Sequence, residues 1–231
     1  MKHFYSLIFS CFFLSFFAVA QQKLKFIVNY PGSAPYLYFD QKAKNYQGII
    51  VDILKDLRVK KQLDIRFVAD SRLRSEEALY QGKVDLTMLS TTWLKDPNKV
   101  IATIPLLTHR SYLYSTKAID PKFDLNNLSE AKSICTRQGY SYPNLKPYFN
   151  TKKLIRLDSS MHITMLRMLF KRRCNYAIFN EYNALSLMKE KEFAGNKIYH
   201  GKYPISEVPL NIILRPELTK EKDILDKHIK N

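Results

Sequence analysis

The sequence predicts an α/β fold: parallel strands covered by helices on both faces, arranged in two lobes of similar build with a cleft between them. Three observations carry this. Short apolar strands alternate with amphipathic helices from Leu24 onward, the pattern of parallel strands joined by helical crossovers. The same order then repeats in the second half. Two extended segments, "THRSYLYSTKA" and "SEVPLNIILRPEL", lead out of the first half and back into it.

"LKFIVNY" reads as the first strand and "YQGIIVDILKDLRV" as the first helix, with Ile49, Ile50, Ile53, Leu54 and Leu57 at helical spacing. "LDIRFVA" follows as a strand, "SEEALYQGK" as a helix and "VDLTML" as the third strand. In the second half, "AKSICT" and "KLIRL" are strands, "SSMHITMLRMLFKRR" a helix and "NYAIF" a strand. "LYQGKVDLTML" is echoed by "LFKRRCNYAIF": Leu79 precedes Asp85 by the interval at which Leu169 precedes Asn175. "TKEKDILDKHIKN" reads as a last helix. The expected lobes are 21–112 plus 208–231, and 113–207.

The first stretch, "MKHFYSLIFSCFFLSFFAVA", has an early lysine, an apolar run and an Ala-Val-Ala ending. That is the pattern of a secretory signal peptide, residues 1–20, cleaved after Ala20. A membrane anchor fits less well, because the apolar core is shorter than the roughly 20 residues a span needs. A lipoprotein signal at Cys11 is a third reading, and bulky Phe9 suits it poorly. The expectation is an exported, periplasmic monomer.

The chain holds 37 basic and 21 acidic residues. Loss of Lys2 with the signal leaves 36 against 21, a net charge of +15. Export and the scatter of the lysines exclude a nucleic-acid partner, so the charge reads as a solvated surface that favours an anionic ligand or an anionic membrane face. Cys135 and Cys174 remain in the mature chain. An even pair in an oxidising compartment suggests one disulfide. Both fall on strands expected to run parallel about 5 Å apart, within reach of an S–S bond. Two buried free thiols are the alternative.

Ligands of open parallel sheets sit beyond the carboxyl ends of the strands. Tyr30, Ser90, Thr91, Thr92, Gly139, Tyr140, Ser141 and Asn180 occupy such ends, and Trp93, the single tryptophan, follows the hydroxyl run. Hydroxyls also end strands by bonding their own backbone in turns, so this run alone does not define a site.

Taken in order, "YPGSAPYLYFD", "YQGIIVDIL", "ALYQGKVDL", the proline of "ATIPLL", "NNLSEAKSICTRQGYSYP" and "RRCNYAIFNE" resemble the bacterial extracellular solute-binding proteins of family 3. That group contains the polar-amino-acid receptors of ABC importers, and the resemblance spans nearly all of Leu24 to Leu218. It implies a two-lobed, periplasmic-binding-protein type II-like fold with no chemistry of its own. Such a protein closes on a small polar solute and delivers it to a membrane permease. It also implies ligand stacking by Tyr30 and Tyr36, although Tyr36 could instead pack its own loop, as Tyr38 is expected to do. Ser90, Thr91 and Thr92 would donate to a ligand carboxylate.

The departures from the family pattern matter as much. The arginine that grips a carboxylate is missing from "TTWLKDPNKV", where Lys95 and Asp96 stand. The aspartate that meets an ammonium falls at Asn180, with Glu181 beside it. Among Arg72, Arg74, Arg110 and Arg137, each readable as a surface arginine, Arg74 and Arg137 are best placed to substitute. Glu76 and Glu77 read as a solvated first turn, Asp52 as structural and His162 as a helix residue. His3, His109, His162, His200 and His228 show no metal-ligand spacing. No catalytic residue, metal or cofactor is expected. Two other functions fit the scaffold: a sensing module acting in trans on a membrane partner, and a cyclohexadienyl-dehydratase-like enzyme using Glu181 as acid–base.

Overall fold

The computed structural model describes residues 23–60 and 62–230; the expected signal segment, with Cys11, lies outside the described residues. The first half contains β1 (Lys23–Asn29), β2 (Gly32–Ser33), β3 (Leu37–Asp40), β4 (Asn45–Gln47), α1 (Ile49–Val59), β5 (Asp64–Asp70), α2 (Arg72–Tyr80), β6 (Leu86–Leu89) and β7 (Ile101–Ala102). β8 (Leu107–Ser115) then crosses to the second half, with β9 (Lys132–Arg137), α3 (Lys146–Asn150), β10 (Leu154–Ser159), α4 (His162–Phe170), β11 (Tyr176–Asn180), α5 (Glu181–Met188) and β12 (Tyr199–His200). β13 (Ser206–Leu214) crosses back, and α6 (Thr219–Ile229) follows.

One sheet runs through both halves in the order β10-β9-β11-β8-β13-β6-β1-β5, with β12 beside β8 and β7 beside β13. β1 pairs in parallel with β5 and β6, and β9 pairs in parallel with β10 and β11. Phe26, Ile27 and Val28 are all buried, because helices cover both faces of this sheet. The two crossings pair with each other antiparallel from Leu107–Leu210 to Ser111–Ser206. Beyond this shared segment β13 turns to β6 and β7, while β8 turns to β11. Each half keeps its own core. Leu54, Leu57, Leu86, Ile212 and Leu225 pack together in the first, Met165, Leu166, Leu169 and Phe179 in the second.

The structure shifts several expected boundaries. α2 starts at Arg72, not Ser75, because Ser71 caps it and accepts from the Arg74 N–H. That shift draws Arg72 into the helix. α1 starts at Ile49, after Gly48 with φ 117°. A Cβ there would lie 2.5 Å from the Tyr36 carbonyl and 2.6 Å from that of Pro35. Only glycine permits both. The hairpin sheet β2-β3-β4 and helix α5 have no counterpart in the sequence reading. Cys135 and Cys174 form a disulfide with Cα atoms 5.8 Å apart, as the pairing expected. Cys174 lies in the turn before β11, however, and not on the strand.

Candidate ligand-binding site

The strand ends of the two halves face one another across a cavity of about 110 Å³. The first half contributes Asn29 from the end of β1, Tyr36 before β3, Arg72 from the head of α2, and Trp93 in the turn after β6. The second half contributes Tyr140, Ser141 and Tyr142 after β9, His162 at the head of α4, and Asn180 and Asn183 around the start of α5. His109, Ser111 and Ser206 come from the crossing strands. Among the described residues, no Asp or Glu lines this cavity.

Tyr36 is 3 % exposed and is fixed through its backbone: the first N–H groups of α1, from Ile49 and Ile50, donate to the carbonyls of Pro35 and Tyr36 at 3.1 and 3.0 Å. Its hydroxyl, pushed by burial well above the usual tyrosine range, stays protonated and donates to Asn180 Oδ1 at 2.7 Å. The same Oδ1 caps α5 by accepting from Tyr182 N and Asn183 N, while Asn180 Nδ2 donates to the Arg110 carbonyl at 2.9 Å. The amide oxygen of Asn180 is therefore saturated. An aspartate would turn a second oxygen on the Arg110 carbonyl, so this geometry asks for asparagine. Asn183 Nδ2 adds a second bond between the halves, to the Ala34 carbonyl at 3.3 Å.

Glu76 corrects the reading of a solvated first turn: it is 5 % exposed. Its Oε2 accepts from Arg72 Nη1 at 2.6 Å, and its Oε1 accepts from Lys95 N and the Tyr80 hydroxyl at 2.6 and 2.8 Å. Burial pushes this carboxyl up, but those donors and the Arg72 charge outweigh it and hold the group below the usual range. Arg72 Nη2 also donates to the Trp93 carbonyl at 3.0 Å, so the pair clamps the turn that carries Trp93. Arg72 is thus a buried cavity residue and not a surface arginine.

The rings that wall the cavity are in mutual contact. His109 lies 5.0 Å from Trp93 and 6.1 Å from Tyr36, and His162 lies 6.0 Å from Tyr140. Burial is the largest cause of the low basicity of both histidines, which falls to about 4 at His109 and about 3 at His162, where nearby Arg137 lowers it further. Both are neutral at pH 7. The unfolded chain binds a proton on each near pH 6.5, where the native state does not, so stability is present above that pH and falls as pH drops toward 4. The expected slope is up to roughly 1.4 kcal/mol per pH unit for each ring. Urea midpoints between pH 7 and 4.5 measure it, and His162→Gln, which cannot titrate, is expected to halve the slope.

Of the residues singled out in the sequence, Tyr36, Trp93, Tyr140, Ser141 and Asn180 line the cavity. Ser90 is fully buried against Thr92, their hydroxyls 3.0 Å apart, and neither they nor Thr91 are in the lining. Tyr30 is 47 % exposed and accepts from Gln41. Arg74 points to solvent in an ion pair with Asp70, and Arg110 pairs with Glu207. Glu181 opens α5 outside the lining. Arg137 is buried directly behind the wall, over the Tyr140 ring at 5.2 Å. Gly139 has φ 76° and packs against Leu73 and Arg72 of the opposite half. The sequence reading missed His109, His162 and Asn183 as lining residues and ranked Arg72 behind Arg74 and Arg137. Arg72, Glu76 and Tyr80 do carry a signal, since they recur at helical spacing on one face.

No protein-family model matches the sequence, and no curated protein matches it. The fold does match solved structures. A histidine kinase sensor domain with similarity to periplasmic binding proteins superposes with a TM-score of 0.75 at 16 % identity, covering 91 % of this chain and 90 % of that one. An amino acid ABC transporter substrate-binding protein from Streptococcus pneumoniae, bound to L-arginine, gives 0.71 at 15 %, covering 90 % and 87 %. An ancestral amino acid-binding protein described as a precursor of cyclohexadienyl dehydratase gives 0.69 at 14 %, covering 90 % and 88 %. The fold is that of the two-lobed type II periplasmic binding proteins.

Proposed function

We propose that the protein is a periplasmic solute-binding protein that captures a small polar solute, an amino acid or a related compound, by closing its lobes. It then delivers that solute to an ABC-type permease, without catalysis. One observation carries this reading: the cavity is walled by the strand ends of both halves, so a ligand in it contacts both at once. A ligand with contacts on both sides binds the closed form better and shifts the population toward it. Tyr36, Trp93, Tyr140 and Ser141 are the proposed contacts, with lobes at 21–112 plus 208–231 and at 113–207. The match to a kinase sensor domain favours one second reading, the same capture reporting to a membrane partner in trans.

The test is a thermal-shift screen of the mature protein against amino acids, polyamines, organic acids and peptides, followed by small-angle scattering. A ligand that binds only the native state raises Tm. It is expected to reduce the radius of gyration as well. A saturating ligand that leaves the radius unchanged rejects capture by closure. Turnover of a hit would instead place the protein with the dehydratases.

A further inference from the structure

Two buried guanidinium groups and one buried carboxylate lie on the segments where the halves touch. Arg72 is 7 % exposed, Arg137 4 % and Glu76 5 %. Contact between the two segments is close: a Cβ on Gly139 would lie 3.1 Å from Leu73 Cγ and 3.5 Å from Arg72 Cβ. Glu76 is committed to Arg72. Arg137 has no carboxylate partner among the described residues. Its Nη2 reaches the Tyr30 carbonyl only at 3.4 Å, its guanidinium lies over Tyr140, and its Nε is buried without a partner. A buried lysine or histidine can escape such a position by losing its proton, but arginine stays charged. Leaving that charge unpaired is unfavourable unless an anion arrives.

The opposite charge has no receptor here. With no Asp or Glu in the lining and the Asn180 oxygen already accepting three bonds, an ammonium would meet no carboxylate there and would enter beside the unpaired Arg137. Asn29 Oδ1 and Asn183 Oδ1 are buried without partners, but as neutral amide oxygens they suit a hydroxyl or N–H and do not offset a full charge. The rest of the wall is mainly apolar, with the rings of Tyr36, Trp93 and Tyr140 beside aliphatic side chains such as Met88, Leu89 and Leu210.

Resting on the solute-binding reading, we infer that the ligand is an aromatic organic acid with a carboxylate and no ammonium, and that Arg137 is its counter-charge. Binding then couples to closure in a simple way. Arg137 reaches across to the Tyr30 carbonyl of the opposite half, so closure buries its unpaired charge, and the ligand carboxylate is the group that makes this favourable. An amino acid of the same shape would bring the missing negative charge together with a positive one.

Three matched probes test this on the mature protein: 3-phenylpropionate, L-phenylalanine and phenethylamine, which share a phenyl body and differ in charged groups. 3-Phenylpropionate is expected to raise Tm, phenylalanine to do so much less and phenethylamine not at all. Arg137→Met is expected to weaken 3-phenylpropionate by at least about thirtyfold, the loss that follows when a buried charge pair is broken. Its ligand-free Tm should stay level or rise, since an unpaired buried charge is gone; an arginine with only a packing role would lower it. Arg137→Lys keeps the charge without the planar fork and should retain part of the affinity. A larger shift with phenylalanine or phenethylamine, no shift with any probe, or wild-type affinity in Arg137→Met overturns the inference. If Arg137→Met does not fold, the ranking of the three probes on the wild-type protein decides alone. A cationic or zwitterionic ligand from the broad screen overturns this inference and leaves solute binding intact, whereas an empty screen removes solute binding itself.

Discussion

Glu76→Ala is expected to destabilise the protein by about 3–5 kcal/mol, the range for removing one partner of a buried ion pair. Three donors lose their acceptor together: Arg72 Nη1, Lys95 N and the Tyr80 hydroxyl. Arg72 is left charged at 7 % exposure, and the turn from Thr91 to Lys95 loses the anchor that holds it to α2. Glu77, one residue on, is exposed and among the described residues its side chain meets only Gln81, so Glu77→Ala should stay within about 0.5 kcal/mol. Urea denaturation at constant m-value measures both. The mechanism has its own check, because adding Arg72→Met to Glu76→Ala removes the stranded charge and should recover part of the loss. A cost below about 1 kcal/mol for Glu76→Ala would mean that Arg72 finds another partner.

This pair also shows where the sequence was opaque. The parallel strands were legible because burial on both faces leaves apolar runs such as Phe26, Ile27 and Val28. α2 buries Arg72, Ser75 and Glu76 beside Leu79, so its inner face carries no apolar stripe and its start was placed three residues late. The site was legible in part for a related reason. Trp93, Tyr140, Ser141 and Asn180 follow from the rule that ligands sit beyond strand ends, which topology alone supplies, whereas Tyr36 came from the family resemblance. That rule misses His109 and Ser111, since they lie within a crossing strand. It also includes Tyr30, where the chain has already turned toward the small hairpin sheet and the ring faces Gln41. The hydroxyl run that looked ligand-ready in "LSTTW" closes partly on itself, Ser90 against Thr92.

Removing the disulfide is expected to cost about 4 kcal/mol, a large share of the roughly 5–15 kcal/mol that stabilises a typical domain. The sequence separation of 39 residues sets this figure through the entropy that the bond removes from the unfolded chain. The closed loop contains α3, β10 and α4, so the staple acts within the second half. Alanine is the informative replacement at both positions, because Cys135 is 0 % and Cys174 4 % exposed, and serine would bury a hydroxyl among apolar neighbours. The folded geometry should survive. Asn175 N donates to the Ser133 carbonyl at 2.9 Å and Ser133 N to Asn175 Oδ1 at 2.8 Å, which fixes the same two chain segments without sulfur. The double variant should therefore keep its near-UV spectrum and ligand affinity while its urea midpoint falls. Because the first half has its own core and no part in this loop, the loss should appear as earlier unfolding of the second half, and hydrogen exchange of β9 and β11 should report it before β1 and β5. Two alkylated cysteines in the intact mass of the unreduced, denatured protein would reject the bond.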